Sequence, residues 1–212
     1  MSAARDMLHR LRQAFATRLL ERSGETSEAV RLEQLGLARD GYHDYEPSGW
    51  RSFRRAMRGI RVGPEDAFLD IGCGKGRIVA QAAKRPFGRV IGVELSDELA
   101  ERARQLLENE RQRRRCGAVE IVVADSTSWQ LPDDVTIVYF YNALSGAGLK
   151  AMLDRIEESA RRAPRRLTVL YVNPVNEQDV ASHPAFELRR RRGRRRWAPT
   201  DPRRVSIFEV RP

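Results

Sequence analysis

Three carboxylates and three glycines carry the chemistry legible in this sequence. In residues 67–78, AFLDIGCGKGRI, Asp70 precedes Gly72, Gly74 and Gly76, and an apolar run gives way to a helical pattern. Glycines at a strand-to-helix turn let the backbone bend tightly and approach a ligand closely. The helix that follows presents unpaired N–H groups. Glu94 closes the next apolar run, VIGVELS, where a carboxylate can accept from a pair of ribose hydroxyls. Asp125 closes the third, VVADS, where it can accept from an adenine amino group while the Ser126 N–H meets the ring. Such a set reads a nucleoside.

The kind of nucleoside follows from the charge. A dinucleotide fingerprint needs G-x-G-x-x-G, and Arg77 stands where its third glycine would fall. The pattern here is D-x-G-x-G-x-G. A buried carboxylate repels a pyrophosphate and attracts a cation. S-adenosylmethionine, with an ammonium, a sulfonium and no phosphate, satisfies that requirement, and its product is S-adenosylhomocysteine. The expected cofactor contacts are Asp70, Gly72, Cys73, Gly74, Gly76, Glu94, Leu95, Asp125 and Ser126. Tyr45 and Ser48, from the preceding loop DGYHDYEPSGW, are expected to cover them as a lid.

These residues need strands to hold them at one edge. Short apolar runs at residues 67–73, 89–95, 119–125, 135–142 and 165–174 alternate with helical stretches at 75–85, 96–113 and 146–162. That order is βαβαβ, which implies a parallel sheet with helices on both faces and right-handed crossovers. The acids then lie at carboxyl ends of adjacent strands, where open α/β sheets bind ligands. Residues 185–197 and 203–210 read as two strands separated by APTDP, too short a link for a helix, so they pair as an antiparallel terminal hairpin. A further helix is expected over residues 51–60, and a short one from Thr26 or Ser27 to about Gly36. Leu8, Leu11, Phe15 and Leu19 recur at helical spacing in the first 22 residues and predict an amphipathic helix packed on the domain.

Over residues 45–212 the chain resembles the class I S-adenosylmethionine-dependent methyltransferases, most strongly in LDIGCGKGR, VIGVELS, VVADS and VYFYNALSG. The resemblance implies an α/β fold: a Rossmann-like, seven-stranded, mostly parallel sheet with a C-terminal antiparallel hairpin, here preceded by an N-terminal helical cap. Residues 1–60 would form the cap and lid, and 61–212 the cofactor-binding domain, as one compact unit. It also implies that the end of the fourth strand faces the acceptor. There Asn142 can present an amide carbonyl and Tyr141 an aromatic face to a cationic sulfonium. YNAL keeps the asparagine of amino-group methyltransferases without the two prolines and aromatic that follow it there. It is similar to strand ends of lysine methyltransferases of this fold and their small bacterial relatives. His43, in the lid loop, is the candidate general base. The acceptor is expected to be a small molecule or a peptide or protein side chain, through nitrogen or oxygen.

Composition bounds the rest. A chain of 212 residues suits one domain. Cys73 and Cys116 lack C-x-x-C spacing, which points to free thiols in a reducing cytoplasmic setting. No cluster of histidines and acids has metal-ligand spacing, so no metal is expected. No apolar run approaches the roughly 18 to 20 residues of a membrane span. The N-terminus lacks a secretory h-region and cleavage site, although its acid-poor, arginine-containing pattern shares features with a mitochondrial presequence.

Charge is the outlier. The net charge is +10, and residues 189–196, beginning at Arg189 and ending at Arg196, hold seven arginines interrupted only by Gly193. Such density could grip RNA, which is one alternative reading; the other is a cofactor-binding scaffold without catalysis. Nucleic acid is not favoured, because Trp197 is the one aromatic near the run for base stacking. Alternate residues of a strand face opposite sides, so these arginines cannot all serve one groove. The run reads as an accessory surface for an acidic partner or for none.

Overall fold

The computed structural model describes residues 29–37, 39–193 and 203–211. The predicted N-terminal helix and Arg194 to Arg196 lie outside these residues. Seven strands form one sheet: β1 (Ala67–Ile71), β2 (Arg89–Glu94), β3 (Ala118–Val123), β4 (Val135–Tyr141), β5 (Leu167–Val172), β6 (Phe186–Arg192) and β7 (Val205–Val210). Their spatial order is β3-β2-β1-β4-β5-β7-β6. β7 runs antiparallel to both β5 and β6, and every other pairing is parallel. The helices are α1 (Trp50–Ala56), α2 (Arg77–Ala82), α3 (Asp97–Asn109), α4 (Gly146–Arg162) and α5 (Glu177–Ser182).

The central strands are buried on both faces, as parallel strands sandwiched between helices must be. In β4, Val138 and Phe140 join one core with Leu149, Met152, Leu153 and Ile156 of α4. Ile137 and Tyr139 point to the other, which holds Phe53 of α1 and Ile78 and Val79 of α2. β1 divides likewise, Leu69 and Ile71 to the first core and Phe68 to the second. That alternation puts Asp70 on the same side as Phe68.

Two expectations are corrected. Between Arg31 and Gly36 the structure has a single 3-10 turn, Leu32–Leu35, in place of the α-helix. One buried residue, Leu32, anchors it, and the left-handed Gly36 (φ 67°) ends it. The short helix α5 was missed, because its pattern is brief and only Val180 is buried. Helix α3 is capped by Ser96, whose Oγ accepts from the Leu99 N–H at 3.3 Å, worth about 1 kcal/mol. No helix among the described residues is long and apolar enough to cross a membrane.

The strand order reverses at β1, with β2 on one side and β4 on the other. A crevice opens at such a switch point, beyond the carboxyl ends of the strands.

Candidate functional site

The glycine turn fills that crevice. After β1 the Gly72 and Cys73 N–H groups both donate to the Val93 carbonyl, at 2.9 and 3.0 Å, which bends the chain over β2. Gly72 and Gly74 take φ of 69° and 52°, a region that favours glycine. Glu94 locks the turn from the neighbouring strand. Its Oε2 accepts from the Gly74 N–H at 2.8 Å, and its Oε1 accepts from Leu95 and Ser96 at 2.9 and 3.0 Å. Burial raises its pKa, and those three hydrogen bonds pull in the opposite direction.

Asp70 is different. It is 3% exposed and lines the pocket. Its carboxyl pKa is pushed well above the ordinary range by burial and then by the charge of Glu94, and no hydrogen bond opposes the shift. A buried carboxylate without a donor is costly, and a cation in the pocket would relieve it. That feature fits the cationic end of S-adenosylmethionine, and Glu94, Leu95 and Ser126 line the same pocket. Among the described residues, Arg77 is the one lysine or arginine lining the pocket, and burial lowers its pKa to about 10.

The lid closes the crevice from the other side. Val30 pairs with Tyr45, and Tyr42 with Leu144, as isolated antiparallel bridges. The His43 N–H donates to the Ala143 carbonyl at 3.1 Å, and Ser145 N–H donates to the Gly41 carbonyl at 2.8 Å. The Tyr42 hydroxyl donates to Asp125, 2.8 Å from both carboxylate oxygens. Thr127, through its N–H at 2.9 Å and hydroxyl at 2.7 Å, and Arg39 at 3.0 Å complete that latch. Burial tends to raise the Asp125 pKa, but the bonds from Thr127 and Tyr42 and the charge of Arg39 prevail and lower it.

Tyr45 lies across the glycine turn. A Cβ on Gly74 would come within 2.0 Å of its ring, and the Lys75 ammonium sits 5.7 Å from the ring centroid. Burial raises its hydroxyl pKa. The remaining cavity is about 90 Å³, below the roughly 300 Å³ at which pockets for such ligands begin.

Of the residues anticipated from sequence, Asp70, Gly72, Cys73, Glu94, Leu95, Ser126, Tyr45, Ser48, His43 and Tyr141 line this pocket. Gly74 lies beneath Tyr45 instead. Gly76 meets helix α3, where a Cβ would fall 2.7 Å from that of Ala103. Asp125 points into the latch. Asn142 sits at the end of β4 with φ 42°, and its Oδ1 accepts from the Tyr171 hydroxyl at 3.1 Å. Tyr171 in turn accepts from the Asn176 N–H at 3.1 Å, and burial pushes its hydroxyl pKa up to about 12. Tyr42, Ala143 and Leu144 also line the pocket and were not singled out. Tyr42 had a signal, since it stands in the same aromatic loop as Tyr45.

Among the described residues one trio, Asp154, Glu157 and His183, brings ligand atoms together away from the pocket. The Ala185 N–H donates to His183 Nδ1 at 3.4 Å, so Nε2 carries the proton and donates to Asp154 at 3.1 Å. Lys150 also holds Asp154, at 2.8 Å. The trio ties α4 to the segment before β6.

Residues 68–165 match the family model described as a methyltransferase domain. A 37.1 kDa uncharacterised protein in transposon Tn4556 of Streptomyces fradiae is 36% identical over 86 residues, covering 39% of this chain and 23% of that protein's length. A protein-lysine N-methyltransferase of Saccharolobus islandicus is 29% identical over 112 residues, covering 52% of this chain and 68% of its own. An RNA methyltransferase from Salinibacter ruber, solved in complex with S-adenosyl-L-homocysteine, superimposes with a TM-score of 0.56 at 18% identity, over 77% of this chain and 92% of that one. That likeness shows the fold.

Proposed function

We propose that this chain, whose residues 68–165 match a family described as a methyltransferase domain, is a class I S-adenosylmethionine-dependent methyltransferase that transfers methyl groups to a side-chain nitrogen or oxygen of a peptide or protein. The observation that carries the reading is Asp70: a buried, unpaired carboxylate at the switch point, beside a glycine turn held by Glu94. S-adenosylmethionine supplies an electrophilic methyl carbon on a sulfonium. The protein supplies orientation and the exclusion of water. Asp70 and Glu94 hold the donor at its ammonium and ribose, and Tyr45 and Ser48 close over it.

Tyr141, His43 and Ala143 line the acceptor side of the pocket. Tyr141 offers a ring face to the cationic sulfur. His43, exposed and anchored through its backbone to Ala143, is within the mouth to accept a proton. Asn142 is not among the residues lining the pocket, and its carbonyl is held by the Tyr171 hydroxyl. The lysine-methyltransferase relative supports a protein side chain over a small metabolite.

Calorimetry with S-adenosylhomocysteine tests the cofactor half, where micromolar-range binding is expected and its absence defeats the proposal. Incubation of the protein with methyl-labelled S-adenosylmethionine and a cell extract tests the acceptor half. Methylated residues in the protein fraction support it, and label confined to small molecules or RNA overturns it.

A further inference from the structure

Among the described residues lining the pocket, Arg77 is the one lysine or arginine, against four carboxylates: Asp44, Glu46, Asp70 and Glu94. It stands where a dinucleotide fingerprint has its third glycine, and it opens α2 directly after the glycine turn. The backbone there is held firmly. A Cβ on Gly76 would fall 2.7 Å from that of Ala103, so the turn sits hard against α3. The Ala80 N–H donates to the Gly76 carbonyl at 2.9 Å. The next residues, Ile78 and Val79, are buried in the core beneath α1. Arg77 is therefore half-buried on a fixed stretch of chain, with its side chain in the pocket wall.

The charges of that wall are uneven. Asp70 and Glu94 are buried, whereas Asp44 and Glu46 stand at the exposed rim. Asp44 accepts from the Leu32 N–H at 2.9 Å. S-adenosylmethionine brings an ammonium and a carboxylate attached to one carbon. Asp70 attracts the first, and the same acid, with Glu94, repels the second. Such repulsion is strong where water is scarce. A bound zwitterion thus needs a cation for its carboxylate, and Arg77 is the lining residue that offers one. Burial lowers its pKa to about 10, which leaves the guanidinium charged at neutral pH. A guanidinium carries several N–H donors in a planar fork, so a carboxylate can join it beside the protein partner it already has.

We infer that Arg77 receives the carboxylate of the cofactor's methionine portion while Asp70 takes the ammonium, so that the pocket selects an α-amino acid and not a nucleoside alone. The inference rests on the proposed function for the placement of the cofactor in this pocket. It adds a residue that carries the opposite charge to every other ionised group expected to hold the methyl donor.

Calorimetric titration of the full chain with three ligands separates these contacts. S-adenosylhomocysteine carries both the ammonium and the carboxylate, its decarboxylated amine analogue keeps the ammonium alone, and 5′-methylthioadenosine lacks both. Four lining carboxylates by themselves would favour the amine. The unaltered protein is expected to prefer S-adenosylhomocysteine instead. Arg77→Gln should abolish that preference, weakening S-adenosylhomocysteine by about tenfold or more as a charged hydrogen-bond pair is lost. The amine and methylthioadenosine should bind it no more weakly than they bind the unaltered protein, which also reports that the variant is folded. Arg77→Lys keeps the charge without the fork and should recover part of the loss. Asp70→Asn should weaken both amino ligands and spare methylthioadenosine. If Arg77 serves only by packing its stem, all three ligands weaken together in Arg77→Gln, and that result overturns the inference. An unaltered protein that binds S-adenosylhomocysteine no more tightly than the amine also overturns it, and this comparison stands even if no Arg77 variant folds. Failure of all three ligands to bind the unaltered protein would defeat the proposed function instead, whereas S-adenosylhomocysteine binding that is indifferent to Arg77 defeats this inference alone.

Discussion

Replacing Asp70 with asparagine should move stability and cofactor binding in opposite directions. The side chain is 3% exposed, and its carboxyl is raised by burial and by Glu94 with no hydrogen bond in compensation. A group whose folded pKa lies above its unfolded value favours the fold most at low pH. It loses that contribution as pH rises from the ordinary aspartate range through the raised value. Asparagine has the same shape and never ionises, so the variant lacks this loss. Without ligand, the melting temperature of Asp70→Asn should match the unaltered protein near pH 3 to 4, roughly the range of an unperturbed aspartate, and exceed it increasingly above. An unsatisfied buried charge costs on the order of 1 to 3 kcal/mol, and each kcal/mol is about 2 to 4 °C for a chain of this size. Burial raises Glu94 in both proteins, and loss of the Asp70 charge also removes their mutual repulsion, which widens the gap at high pH. Binding should fall instead: losing an ionic partner for the ammonium costs about 1.5 to 3 kcal/mol, or roughly ten- to a hundredfold in Kd. Scanning calorimetry across pH and titration with S-adenosylhomocysteine measure the two. A melting-temperature gap that shrinks as pH rises, or an unchanged Kd, would refute the assignment of Asp70.

Other substitutions separate the turn, the latch and the core. Glu94→Ala orphans the Gly74, Leu95 and Ser96 N–H groups and should lower stability by about 3 kcal/mol, seen as an earlier urea midpoint together with weaker S-adenosylhomocysteine binding. Gly74→Ala at φ 52° drives a methyl into the Tyr45 ring and should cost about 1 to 2 kcal/mol from backbone strain alone, with Tyr45→Ala restoring part of it in a double-mutant cycle. Tyr42→Phe removes the donor to Asp125 and should speed hydrogen exchange at the Val30 and Tyr45 amides while shifting the global urea midpoint by less than about 1 kcal/mol equivalent. Ile156→Ala, at a site with no exposure, should cost about 2 to 5 kcal/mol in chemical denaturation and leave the Kd for S-adenosylhomocysteine nearly unchanged.

Periodicity carried the fold because nearly every central strand is buried on both faces, and such strands read as unbroken apolar runs. β1, AFLDI, is buried throughout its length. The misreadings fall where burial is slight. The 3-10 turn at Leu32–Leu35 and helix α5 each bury one residue, so no periodic stripe distinguishes them. The carboxylates at the strand ends were legible from spacing, but their hydrogen bonds were not. Asp70, Glu94 and Asp125 look alike in sequence, yet one is left without a donor, one ties the glycine turn, and one latches the lid. Those differences arise from backbone N–H groups and from Tyr42, 83 residues from Asp125 along the chain. Gly72, Gly74 and Gly76 likewise share one motif and divide into three tasks: meeting Ala143 across the switch point, admitting Tyr45, and admitting Ala103 of α3.

The arginine run shows how chain order can mislead about spatial order. It follows every cofactor motif in sequence, which suggested a surface removed from the chemistry. Because β7 inserts antiparallel between β5 and β6, Arg192 and Val205 lie beside Val172 at the carboxyl end of β5. Strand alternation does split the run, with Arg191 on the Glu177 side and Arg190 and Arg192 toward α1. The bulge at Leu188 adds what alternation could not: it lets one short strand turn apolar residues into the α4 core at its start and arginines toward α1 at its end. The placement of Arg190 and Arg192 beside α1 therefore depends on one irregular pairing.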